Sequence, residues 1–297
     1  MFFKRLFSTV ILLTIFSCII FGEKMFGTPW VSKIAFLVFG GFLSYFVPYE
    51  TCNMLKQAEK PVLAKLTSAS IFLTFVSYGI ILLMEKMSCA CVKYTAVEAV
   101  MYAVVLLLLL ALPWILLLFI IGKEGGLQRI LNSLGIIALF VPPFLVLEEM
   151  YFRDGVNVFL FFVIGTKIGD IGAYVFGTLS NKLMKGGNHK MIPSISPGKS
   201  WEGAAGGMLA SIVFATSLFG WAFPVLSKNY GIWLPIVLGI ILFIFGAAGD
   251  LAESCIKRVC GVKDSGKTLP GIGGVFDLVD SLLLNSIIFT VFMMFFK

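Results

Sequence analysis

Long stretches without a single Lys, Arg, Asp or Glu constrain this chain more than any other feature. A helix that crosses a bilayer needs roughly 17 to 25 mostly apolar residues. Nine stretches approach that requirement: residues 6–22, 34–49, 66–84, 99–122, 130–147, 155–176 (interrupted by Lys167 and Asp170), 203–227, 229–249 and 281–296. Hydrophobic residues make up 59% of the 297 and charged residues 13%, with a mean hydropathy of +1.00. Soluble domains carry roughly 25% charged residues, so a water-soluble globular fold is excluded. Disordered, collagen-like and disulfide-scaffold chains are excluded too, because their charge, glycine period or cysteine density is missing. The expected fold is all-α, a polytopic membrane helix bundle of about nine transmembrane helices.

Lys4 and Arg5 ahead of the first stretch are also compatible with a signal peptide, but no small-x-small cleavage site closes the run, so it counts as a span. Basic residues in short loops stay on the cytoplasmic side. With the N-terminus inside, the inner loops collect fifteen lysines and arginines and the outer loops six. The net charge of +7 then suits anionic inner-leaflet lipid and polyphosphate ligands, with no need for nucleic acid. The expected location is the cell inner (plasma) membrane, with the active face towards the cytoplasm. The six cysteines form no CxxC pair and have no histidine at zinc-ligand spacing. Cys89 and Cys91, on an expected outer loop, read either as an oxidisable pair or as two isolated thiols.

An ionisable residue near hydrocarbon is costly and needs a compensating role. Four of the six aspartates, Asp250, Asp264, Asp277 and Asp280, lie between the eighth and ninth stretches, and Asp170 interrupts the sixth. Residues 1–150 carry no comparable cluster and are expected to be a lipid-facing scaffold of about five helices. Residues 151–297 are expected to carry the chemistry. Small residues and apolar surfaces in the scaffold permit a homodimer without requiring one.

Two inner-side segments concentrate the polar groups. The first runs from Lys167 to the SPGKSWEG stretch. There Ser196, Pro197, Gly198, Lys199 and Ser200 are expected to form a turn able to hold phosphate oxygens ahead of a helix N-terminus. SPGKS lacks the full P-loop spacing. Gly203, Gly206 and Gly207 favour close helix packing over phosphate contact. Lys167 and Asp170, at i and i+3, pair either to neutralise one another or to line an ion path. His189 is expected in a polar loop without a catalytic role.

The second segment, residues 249–281, places Asp250, Glu253 and Lys257 on one helical face and Asp277 with Asp280 on another. Pro270 and the glycines at 271, 273 and 274 fold the chain between them. Carboxylates converging beside lysines and an arginine suit magnesium-assisted phosphoryl or nucleotidyl transfer, since Mg2+ takes hard oxygen ligands and shares them with phosphates. The same pattern also fits a solvated loop with internal salt bridges. A multi-pass transporter remains the alternative from another class.

Residues 160–297 resemble the phosphatidate cytidylyltransferase (CDP-diacylglycerol synthase) family. The resemblance rests on Ser254, Lys257, Arg258, Lys263, Asp264, Pro270, Gly271, Gly273, Gly274, Asp277, Asp280 and Ser281. Upstream it rests on Asp170, Gly172, Ala173, Tyr174, Ser196, Pro197, Lys199, Trp201, Glu202 and Gly203. Two positions depart from the family pattern: Ile272 replaces a histidine, and Leu278 replaces an arginine whose fixed cation an apolar side chain cannot supply. The resemblance implies that CTP and phosphatidate in the bilayer give CDP-diacylglycerol and diphosphate. It implies Mg2+ on Asp250 and Asp277, with Asp280 as a third or supporting carboxylate and a second cation such as K+ beside it. Lys257, Arg258, Lys263 and Lys199 would position phosphates, and Ser200, Glu202, Ser254, Asp264, Asp170 and Tyr174 complete the expected substrate site. A CTP-dependent polyprenol kinase is the nearest alternative enzyme.

Overall fold

In a computed structural model the described residues are 10–11, 13–22, 29–87, 125–270 and 273–296. The expected fourth span, the Cys89 and Cys91 pair, Gly271 and Ile272 lie outside them. Helix dominates, because in hydrocarbon every backbone N–H and C=O must be satisfied within the segment itself. The helices are α1 (Leu13–Gly22), α2 (Pro29–Gln57), α3 (Ala64–Met87), α4 (Gly126–Glu149), α5 (Val156–Leu183), α6 (Trp201–Ala222), α7 (Pro224–Tyr230), α8 (Trp233–Val259) and α9 (Phe276–Met294). One π-helical turn, Met150–Asp154, extends α4. Among the described residues seven helices are long and apolar enough to cross a membrane, α2 to α6, α8 and α9, and α1 is shorter. The protein is a multi-pass membrane helix bundle.

The SPGKS segment is a strand and not the expected turn. Strand β2 (Ser196–Ser200) pairs antiparallel with β1 (Lys190–Ile192), with Lys190 opposite Ser200 and Ile192 opposite Ser196. Pro197 disfavours the helical region for the residue before it. Ser200 keeps extended dihedrals while its hydroxyl accepts the Gly203 amide at 3.1 Å, so one residue ends the strand and caps α6.

The chain forms two compact units. The first contains the residues up to Leu145 together with Asp264–Phe276, and the second contains Val146–Lys263 and Asp277–Lys297. In the first unit, Phe75 of α3 lies between Phe36 of α2 and Phe144 of α4, with ring centroids 6.4 and 6.2 Å away. Ser133 accepts the Leu63 amide at 3.0 Å, just ahead of α3, where a helix has no acceptors of its own.

In the second unit, α5 and α6 approach through small residues. A Cβ on Gly207 would lie 2.7 Å from the Gly169 carbonyl oxygen, and one on Gly172 would lie 2.7 Å from the Ala210 Cβ. The expected packing role of the Gly203 to Gly207 run is therefore what the helices use, because dispersion contacts between close backbones drive helix association where no water is displaced. Gly239 of α8 meets the Ile212 backbone of α6 in the same way. Phe161, with Phe214, Phe219 and Phe223 around it, and Phe162 against Phe289 fill the far end of this core.

Candidate active site

Helix α8 continues to Val259, nearly three turns past the uncharged stretch that opens it, so Asp250, Glu253 and Lys257 project from one regular face. Gly249 brings a second helix to that face. A Cβ there would lie 2.6 Å from the carbonyl oxygen of Asp280 on α9. With only hydrogen at that position, α9 packs close enough for ligand oxygens of Asp250, Glu253 and Asp280 to lie within 4.8 Å of one another. Glu253 is 1% exposed, and its Oε1 is buried with no hydrogen-bond partner.

Three lysines surround these carboxylates, each delivered by a different element. Lys257 reaches back one turn to Glu253 at 2.6 Å and across to Asp277 of α9 at 2.9 Å. Lys199 of β2 reaches Asp250 at 2.9 Å and donates to the Ala247 carbonyl at 3.0 Å. Lys167 of α5 donates to Ser281 at 2.8 Å and lies 3.5 Å from Asp170 and 3.9 Å from Asp280. The Ser281 hydroxyl donates to Asp170 at 3.1 Å, and the Ser281 amide donates to Asp280 at 2.6 Å. Lys167 and Asp170 do pair, as their spacing suggests, and the pair also reaches the carboxylates of the site through Ser281 and Asp280.

Five carboxylates, Asp170, Asp250, Glu253, Asp277 and Asp280, thus meet three ammonium groups. A carboxyl oxygen without a partner is costly to bury unless something positive meets it, and Glu253 Oε1 is such an oxygen. Oxygen-only donors of this kind fit Mg2+.

The remaining expected site residues are distributed differently. Asp277 faces Lys257 and does not join the three converging oxygens. Ser254 is buried on α8. Arg258 is exposed and donates to the Ile195 carbonyl of the hairpin at 3.2 Å. Glu202, in the first turn of α6, accepts the His189 amide at 3.1 Å and pairs with the His189 ring at 2.6 Å. The sole histidine thus ties the hairpin to α6. Tyr174 is 75% exposed, Lys263 is exposed, and Leu278 is half-buried on α9. In the first unit Asp264 is exposed at the start of the loop that runs to Phe276.

Glu253, which joins the converging oxygens, was not among the expected metal ligands Asp250, Asp277 and Asp280. Its signal was present in its i+3 spacing from Asp250, but choosing it over Asp277 needed the position of Lys257.

Residues 3–296 match the profile of the Cytidylyltransferase family. Among individual relatives, a protein of Staphylococcus haemolyticus named phosphatidate cytidylyltransferase is 41% identical over 138 residues, 45% of this chain and 49% of that protein. The protein of the same name from Staphylococcus epidermidis is 44% identical over 138 residues, with the same coverage. That from Mycobacterium bovis is 37% identical over 157 residues, 51% of this chain and 46% of the relative. The chain thus spans about half the length of the curated relatives it matches. A match running nearly from end to end, on a fold that gathers its acids around α8 and α9, shows that this chain belongs to the cytidylyltransferase family.

Proposed function

We propose that this chain is a phosphatidate cytidylyltransferase that joins CTP to phosphatidate, giving CDP-diacylglycerol and diphosphate, in a bacterial plasma membrane with the site facing the cytoplasm. The observation that carries this reading is the convergence of Asp250, Glu253 and Asp280, with one buried carboxylate oxygen unpartnered, beside Lys167, Lys199 and Lys257. The names of the relatives agree with it.

In the proposed reaction a phosphatidate phosphate oxygen bonds to the α-phosphorus of CTP. The bond from that phosphorus to the bridging oxygen breaks, and diphosphate leaves with the electron pair. The attacking phosphate is already anionic, so no strong general base is needed. The work left to the protein is orientation and charge stabilisation. Asp250, Glu253 and Asp280 are the residues that would hold Mg2+. When bound, that ion supplies charge neutralisation and Lewis acidity at the triphosphate. Lys199 and Lys257 hold Asp250 and Glu253 in place and present ammonium groups at the same site. Lys167, Ser281 and Asp170 fix Asp280 from the other side. Arg258 in the last turn of α8, Lys263 in the loop after it and Glu202 in the first turn of α6 suit contacts to the nucleotide.

Purified protein with CTP, phosphatidate and Mg2+ should release diphosphate and form a CDP-lipid in equal amounts. Transfer of a single phosphate to a polyprenol would identify the kinase instead. Solute flux across sealed vesicles without CTP would identify a transporter.

A further inference from the structure

Within the first unit, Glu50 of α2 is an acid placed where the expected lipid-facing scaffold has no use for one. It is 3% exposed, and its carboxylate gathers donors from a segment more than two hundred residues away in sequence. Thr268 donates its hydroxyl to Oε1 at 2.5 Å, and Ser265 donates to Oε2 at 3.4 Å. The Phe276 amide donates to Oε2 at 3.0 Å. Two glycines leave the room these bonds require. A Cβ on Gly266 would collide with the Glu50 carboxylate, and one on Gly274 would lie 2.8 Å from Oε2. The loop between them is closed by paired Leu269 and Gly273, whose amides donate to each other's carbonyls at 3.0 and 3.1 Å.

Phe276 is the first residue of α9, so its amide is one that a helix cannot satisfy internally. A carboxylate at that position also meets the positive end of the helix dipole. Glu50 is thus an N-cap supplied by another helix, and the capped helix carries Asp277 and Asp280. We infer that Glu50 is a positioning residue for the nucleotidyl-transfer site, holding the Asp264–Phe276 loop and the first turn of α9 in register for the carboxylates that follow. This rests on the function proposed above.

The test uses the full chain in lipid nanodiscs, comparing wild type with Glu50→Gln and Glu50→Ala by hydrogen exchange and by turnover of CTP and phosphatidate at varied Mg2+. Amides of residues 264–280 should exchange faster in both variants, with α5 and α6 unchanged. Turnover number should fall about tenfold or more, as expected for loss of a charged cap. The Mg2+ concentration for half-maximal rate should rise, and the KM for phosphatidate should move little. Wild-type exchange across 264–280 in both variants would overturn the inference. Faster exchange with unchanged turnover and Mg2+ dependence would also overturn it, leaving a purely structural tie. If Glu50→Ala does not fold, Glu50→Gln decides; if neither folds, Glu50 serves global stability and the inference fails. Should wild type make no CDP-lipid, the proposed function falls, while the exchange rates still score Glu50 as the cap of α9.

Discussion

Lys257 assigns different tasks to two neighbouring carboxylates. Its ammonium bridges Glu253 at 2.6 Å and Asp277 at 2.9 Å, yet only Glu253 also turns an oxygen towards Asp250 and Asp280. The two acids should therefore fail in different ways. Glu253→Gln should raise the Mg2+ needed for half-maximal turnover by about tenfold or more, because it removes an anionic oxygen from the converging set. Asp277→Asn should slow turnover by about 10- to 100-fold with little change in Mg2+ dependence, because it loosens the lysine that orients Glu253. Titrating Mg2+ against initial rate separates the two, and identical Mg2+ curves for both variants would refute the division of labour.

At the scale of elements, the site depends on how closely α8 and α9 approach and on how α6 begins. Gly249→Val would push a side chain into the Asp280 carbonyl, a backbone atom that can move only with its helix. Such overpacking costs about 1–3 kcal/mol, and the carboxylates should separate, so turnover should fall further than thermal stability. Gly135→Ala on α4 is the matched control, since nothing lies within 4 Å of the added carbon. It should leave the melting temperature unchanged or raised. Ser200→Ala removes the cap of α6 and should cost about 1 kcal/mol in thermal unfolding, a direct measure of what that hydroxyl contributes.

At the scale of the whole molecule, α6 is long and apolar enough to cross a membrane between the hairpin at its N-terminal end and α7 at its C-terminal end, which would put the two in water on opposite sides. With the orientation expected from the excess of basic residues in the inner loops, the hairpin would lie in the cytoplasm. In a chain whose native cysteines are replaced, Lys190→Cys should react with an impermeant maleimide only in inverted vesicles and Asn229→Cys only in intact spheroplasts. The reverse labelling would turn the bundle over and remove the site from cytoplasmic CTP.

The sequence by itself determined that the chain is a helical membrane bundle, because uncharged runs of this length have no other low-energy fate. It also placed all six aspartates beyond residue 150, where charged side chains near hydrocarbon survive only if something compensates them. Asp250 and Asp280 were legible at that level, as was the close packing of the Gly203 to Gly207 run. Which carboxylates converge was decided only in three dimensions. That depends on where Lys257 lands and on a missing side chain at Gly249, neither of which leaves a trace in helical periodicity. The extended form of Ser196–Ser200 needed its partner strand, since hydrogen bonding to a distant segment outweighs local turn preference. Glu50 lay furthest from view: a single acid in an apolar helix has no pattern, and its purpose appears only when Ser265, Thr268 and Phe276 fold back onto it.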